Sequence, residues 1–327
     1  MKNDVLTLAI NRITFLSSRE KLLVFNSVKD VGELCRLSKS DIEMKIKRRS
    51  PRGHYNIKEF ISRSEKDLAV FCKKDIKYIS ILETNYPPLL KEIYNPPFVL
   101  FYRGELCDFS KDMIGIIGTR RATGSAVAAA KKISCEFAEY QIPVVSGLAL
   151  GIDRAAHIGC LNGNASTIAV LGCGIDTVYP VSNRETAIRI IKNGGLILSE
   201  YPPGVLPLKY HFPERNRIIS GLSRSILIIQ APEKSGALIT ADFAAEQGRD
   251  VYVYKNAITG LPGAGGKALS EEGALLVESA DEILSDWGYG VKKRKDKIFE
   301  GEAKDLLSNQ LRRELSLSPK EKVLESN

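Results

Sequence analysis

Between residues 114 and 255, short apolar runs rich in β-branched residues alternate with longer Ala-rich or amphipathic stretches. The runs lie at 114–117, 143–146, 167–171, 196–199, 225–230 and 250–254, with segments such as 125–140 and 237–248 between them. Within each run the apolar residues are continuous, so the strands are expected to be covered on both faces. The strand–helix–strand rhythm then implies a parallel sheet with right-handed crossovers. This pattern predicts an α/β, doubly wound, Rossmann-like domain.

Upstream the period changes. Leu6, Ile10 and Ile13, then Leu22, Leu23 and Phe25, recur at helical spacing among charges, and a basic stretch at 45–58 interrupts them. Residues 79–103 carry two proline pairs, Pro87-Pro88 and Pro96-Pro97, between short apolar runs and read as a connector with strands. The expected organisation is a small helical domain at 1–78, a Rossmann-like domain at 79–287 and a charged tail at 288–327.

Composition narrows the class. With 44% hydrophobic and 26% charged residues in 327, the chain is neither disordered nor fibrous. No stretch approaches the ~18–20 apolar residues of a membrane helix, and Asp4 and Arg12 break the N-terminal apolar stretch, which makes a poor signal peptide. Six scattered cysteines show no CxxC pair and no histidine at metal-ligand spacing. They are expected to be reduced, mostly buried thiols in a cytoplasmic protein, with no metal or cofactor.

The net charge of +8 is unevenly placed. Residues 1–80 hold 18 Lys/Arg against 10 Asp/Glu and residues 288–327 hold 10 against 7, whereas 81–287 hold 19 against 22. A polyanion site in the middle must therefore be built from a few converging cations rather than from bulk charge.

In an open parallel sheet ligands bind beyond the carboxyl ends of the strands, so the strand-to-helix loops are the places to search. The first, 114–124, places Arg120 two residues after Gly118, where a guanidinium can grip a phosphate; the bland alternative is a tight turn with solvated arginines. The second, 144–157, offers Ser146, Gly147 and Gly151 before a helix opening near Ile152, a backbone N–H cradle for an anion. His157 one turn further on has no nucleophile spaced to use it. In the third, 170–180, Cys173 between two glycines has no identifiable base and reads as a small buried thiol.

The fourth loop, 199–223, crowds Lys209, His211, Phe212, Arg215, Asn216 and Arg217 into nine residues. Cations interleaved with an aromatic suit single-stranded nucleic acid, the charges meeting phosphates and the ring a base; the alternative is a solvated loop capping a helix, with Phe212 in the core. On a helix, Arg215 and Arg217 are separated by ~200°. With Ile218, Ile219 and Leu222 facing inward, Arg215 falls on the crevice side and Arg217 along the surface or in an ion pair. The fifth loop, 231–248, sets Ser235-Gly236 before a helix, with Thr240 one turn in.

Taken in order, GTRRAT, SGLALGIDRAAH, LGCGIDTVYP, SEYPPG, HFPERNRIISGLS and SGALITADFAAEQGRDVY resemble the signatures of the DprA/Smf family of DNA-processing proteins over residues 80–287. The resemblance implies an extended Rossmann fold with an N-terminal domain similar to a sterile-alpha-motif fold. It also implies a homodimer that binds single-stranded DNA and loads a RecA-type recombinase onto it, in natural transformation or related recombination, with no catalytic residue. Arg120, Ser146, Gly147, Gly151, Lys209, Phe212, Arg215, Asn216, Arg217, Ser235 and Gly236 are the expected DNA-binding positions.

The chain departs from the family pattern in three places. Lys267 stands in the glycine-rich turn near the end of the sheet where an asparagine is usual, and Ser17–Glu20 replace a glycine-containing hairpin turn. Residues 317–327 resemble only the start of the first winged-helix helix. The fold also resembles nucleoside-monophosphate phosphoribohydrolases, but Ser235–Thr240 lacks the second glycine and the matching glutamate of their PGGxGT stretch, and Glu246 lies two helical turns on.

Overall fold

The computed structural model describes residues 2–51 and 55–290. Five helices come first: α1 (Lys2–Asn11), α2 (Ser18–Asn26), α3 (Val31–Arg36), α4 (Lys39–Ile46) and α5 (Ile57–Lys74). Their starts are chemically marked. Ser17 accepts from the Glu20 N–H while the Glu20 carboxylate accepts from the Ser17 N–H, and Ser38 and Asp41 repeat this reciprocal cap. An ion pair between Arg12, just past α1, and Asp67 of α5 ties the two together.

The strands and remaining helices follow as β1 (Lys77–Ser80), α6 (Pro88–Lys91), β2 (Val99–Gly104), β3 (Ile114–Ile117), α7 (Gly124–Glu139), β4 (Val144–Ser146), α8 (Ile152–Asn162) and β5 (Thr167–Leu171). Then come α9 (Arg184–Lys192), β6 (Leu196–Ser199), α10 (His211–Leu222), β7 (Ser225–Ile228), α11 (Gly236–Glu246), β8 (Asp250–Tyr254), α12 (Gly260–Glu271), β9 (Leu275–Val277) and α13 (Ala280–Asp286). Every residue of β3, β5, β6 and β7 is buried, as continuous apolar runs between two helical layers require.

The sheet order is β1-β2-β6-β5-β4-β3-β7-β8-β9. Pairing is parallel from β6 through β9, and β1 and β2 add an antiparallel edge. After the β1–β2 edge the chain starts the parallel part at β3, winds outward through β4, β5 and β6, then returns to place β7 on the other side of β3. That reversal opens a crevice beyond the carboxyl ends of β3 and β7. On one face α7 and α8 pack so closely that a Cβ on Gly159 would stand 2.2 Å from the Lys131 carbonyl oxygen.

The N-terminal helices share one hydrophobic core with the sheet, from Leu6 to Val253. Phe71 of α5 meets Phe101 of β2 edge-on with ring centroids 5.6 Å apart, and the Tyr78 hydroxyl donates to Asp4 at 2.6 Å. Residues through Ile283 form one compact unit; those from Leu284 belong to a second, described here to residue 290. Most of the expected tail, 291–327, including the winged-helix resemblance, lies outside the described residues.

Two expectations need correction. The glycine-rich stretch carrying Lys267 is not a turn but the helix α12, whose Gly263 and Gly265 approach backbone: a Cβ would stand 2.3 Å from the Ala257 oxygen and 2.6 Å from the Pro232 oxygen. The cysteines are less buried than expected. Cys160 and Cys173 are buried, Cys35, Cys107 and Cys135 half-buried, and Cys72 exposed. Only Cys160 on α8 and Cys173 just after β5 face the packed centre of the domain, whereas Cys35, Cys72 and Cys135 sit on helices and Cys107 on a loop with a side open to solvent. Among the described residues no His/Cys/Asp/Glu group could hold a metal, and no helix is long and apolar enough to cross a membrane.

Candidate functional site

The crevice at the reversal has a volume of about 960 Å³. Its two lips are fastened by one residue. Gln230, just beyond β7, accepts from the Thr119 N–H through its backbone oxygen at 2.7 Å and from the Thr123 N–H through Oε1 at 2.9 Å. Its Nε2 returns a bond to Thr123 Oγ1 at 3.2 Å. A polar residue closing an apolar strand run was the available signal for this role.

Arg215 forms the floor. It is 4% exposed, and its Nη1 donates to the Gly147 carbonyl at 2.7 Å and to the Val170 carbonyl. Gly147 is required there, because a Cβ would come within 2.4 Å of the guanidinium. Asp153, also buried, turns Oδ2 to accept from the N–H groups of Gly147 at 3.1 Å and Ala149 at 3.4 Å. Burial raises the Asp153 carboxyl above its ordinary value, opposed by the Arg215 charge and those N–H bonds. Burial likewise lowers Arg215, to about 10, against the attraction of Asp153.

This floor corrects the expected anion cradle at 147–151. Its N–H groups face a carboxylate supplied by the chain itself, so the loop is filled. Gly151, at φ +76, lets the loop pass under the Thr119 and Arg120 carbonyls, which a Cβ would approach to 2.4 Å and 2.8 Å. Ser146 is buried and donates to the Ile116 carbonyl at 2.7 Å. Arg217 stands off the crevice wall, paired through Nη2 with both Glu200 oxygens at 2.8 and 2.7 Å. Of the expected positions, Ser146, Gly151 and Arg217 are therefore not part of the lining, and Gly147 borders only a smaller adjoining recess.

The remaining seven come together. Arg120, Lys209, Phe212, Arg215, Asn216, Ser235 and Gly236 line one crevice. Asn216 Nδ2 donates to the Gly236 carbonyl at 3.2 Å, joining α10 to α11, and Ser235 caps α11 by accepting from the Ala237 N–H at 3.3 Å. The Arg120 guanidinium lies 5.5 Å from the centroid of Phe212, a cation–π contact. Among the lining residues not singled out in the sequence are two cations and a ring: Arg121, beside Arg120; Lys234, before Ser235; and Tyr179, whose ring lies 5.6 Å from that of Phe212. Arg120, Arg121, Lys209 and Lys234 are exposed, and Asp153 is the only acid among the lining residues. The acidic middle of the chain thus gathers its cations at the switch point.

The other titratable groups nearby are structural. Thr167 Oγ1 donates to the Val144 carbonyl, so it must accept from His157 Nδ1 at 2.8 Å, leaving Nε2 without a proton or a partner. Burial and the Arg215 charge hold His157 down to about 3. Cys173 donates to the Thr177 carbonyl at 3.2 Å, and burial pushes its thiol up to about 11.

The family model of DNA recombination-mediator protein A matches residues 77–288, the whole sheet and the crevice with it. The chain belongs to this family. It is 41% identical over 210 residues to DNA processing protein DprA of Streptococcus pneumoniae, covering 64% of this chain and 74% of that protein. To protein Smf of Borreliella burgdorferi it is 34% identical over 278 residues, covering 85% and 87%. Among solved structures, DprA of Streptococcus pneumoniae superimposes with a TM-score of 0.70 at 34% identity, covering 89% of this chain and all of that one. DprA of Helicobacter pylori, described for its single-stranded DNA binding mode, gives 0.59 at 28% identity and covers 66% and 99%. The seven clustered positions all fall inside the matched family region.

Proposed function

We propose that this DprA-family chain binds single-stranded DNA in the switch-point crevice without reading base sequence. The observation that carries this is the lining: four exposed cations and one buried one, a single acid already engaged by backbone, and aromatic rings between the cations. Such a groove attracts a sugar–phosphate backbone and offers π-faces to bases of any kind. The proposal includes no catalytic step, because Asp153 is committed to the floor.

The proposal extends to recombinase loading, the role the family resemblance implies, and to a homodimer. The strand β9 supports the second, since among the described residues it is the edge of the sheet and leaves Leu275 56% and Leu276 40% exposed. The primary test is an anisotropy titration of single- against double-stranded oligonucleotides. Preference for single strands, equal across base compositions, is expected; equal affinity for duplex would overturn the reading. Light scattering that finds only monomer at micromolar concentration would remove the dimer, and a recombinase filament that assembles no faster with the chain present would remove the loading role.

A further inference from the structure

Phe212 is the ring that the sequence pattern offers for stacking, but it is hemmed in. The Arg120 guanidinium lies over it at 5.5 Å, and Tyr179 leans on it at 40°. Gly172 backs it so closely that a Cβ there would stand 2.8 Å from Phe212 Cδ1. Phe212 is half-buried by these neighbours, so it offers a base less open ring than an exposed aromatic would.

Tyr179 is different. The residue is 45% exposed at the crevice mouth, where it borders both the crevice and the adjoining recess. Its hydroxyl has no hydrogen-bond partner among the described residues, so the exposed ring is not there to place a polar tip. The loop that carries it is held on both sides. The Thr177 N–H donates to the Gly174 carbonyl at 2.9 Å, the Asn183 N–H to the Pro180 carbonyl at 3.0 Å, and Asn183 Nδ2 to the Leu148 carbonyl at 2.8 Å. A fixed, half-exposed aromatic face costs little further ordering when a flat ligand lands on it.

We propose that Tyr179, rather than Phe212, is the surface on which an unpaired base of the bound strand stacks. Phe212 is its backing, and Arg120 stands beside the pair for the adjoining phosphate. Bases inside a duplex already stack on both faces, so this surface selects single strands. The inference rests on the single-strand reading above, and its test separates the two.

Oligothymidine binding is measured by anisotropy for Tyr179→Phe, Tyr179→Leu, Tyr179→Trp and Lys209→Ala, with thermal unfolding of each as a control for folding. Tyr179→Phe is expected to bind within about two-fold of the parent. Tyr179→Leu, which keeps apolar packing against Phe212 but loses the aromatic face, is expected to bind about 5- to 150-fold more weakly. Tyr179→Trp should keep affinity and show emission quenched by the oligonucleotide, above the constant contribution of Trp287. If Tyr179→Leu binds like Tyr179→Phe while Lys209→Ala weakens binding, the stacking assignment fails and the single-strand reading stands. If the parent chain does not bind, or Lys209→Ala changes nothing, the single-strand reading itself fails.

Discussion

Replacing Arg215 by methionine removes the cation at the crevice floor while nearly keeping its volume. Arg215 is 4% exposed, its guanidinium serves the Gly147 and Val170 carbonyls, and its charge acts on the buried Asp153 carboxyl. Removing the guanidinium strands two buried carbonyls, at about 1–3 kcal/mol each, and takes away the cation that opposes the burial of Asp153. In a domain of this size each kcal/mol moves the melting temperature by about 2–4 °C, so a fall of roughly 10 °C is expected. Urea unfolding should show the midpoint lowered with the m-value unchanged. The charge argument makes a second demand: adding Asp153→Asn to Arg215→Met should restore about 1–3 kcal/mol, because the stranded carboxylate is then gone while an acceptor remains for the Gly147 and Ala149 N–H groups. A loss below about 1 kcal/mol, or a second substitution that only adds its own cost, would show that Arg215 and Asp153 are not coupled and would refute the reasoning.

His157 gives a pH test: its folded value of about 3 lies below the ordinary 6.5, so its contribution is complete above about pH 6.5 and is lost as pH falls, at about 1.4 kcal/mol per pH unit. Denaturant unfolding between pH 7 and 4 should therefore be less steep in pH for His157→Gln than for the parent, and parallel curves would contradict the assignment. If Arg120, Arg121, Lys209 and Lys234 each meet a phosphate, log K for single strands falls against log salt with a slope near −3, a loss of about 50-fold between 50 and 200 mM, and Arg120→Ala makes the slope shallower by about 0.7. Gly159→Ala forces a Cβ against the Lys131 carbonyl and should destabilise by about 1–3 kcal/mol, seen as a lower urea midpoint.

Much of the architecture was legible because it is local. Thr167–Leu171 and Leu196–Ser199 are strands at the residues where the apolar runs begin and end, and the helix mouth falls at Ile152, after the glycines of its loop. The 3.6-residue period also placed Arg215 inward and Arg217 in an ion pair, since helical rotation is decided by the chain's own backbone. What the sequence could not show is which distant groups meet. Arg215 is 68 residues from Gly147 and 45 from Val170, yet these carbonyls bury its charge. Spacing alone made 147–151 an open anion cradle; folding turned Asp153 back into it, because free N–H groups and a carboxylate removed from water stabilise each other more than either is stabilised alone. The same distinction separates the two rings. Both lie in motifs readable from the sequence, but packing half-buries Phe212 against Gly172 and Arg120 while Tyr179 stays 45% exposed. Backbone period and burial are written residue by residue, whereas exposure and pairing at a site depend on loops brought together from opposite sides of the sheet reversal.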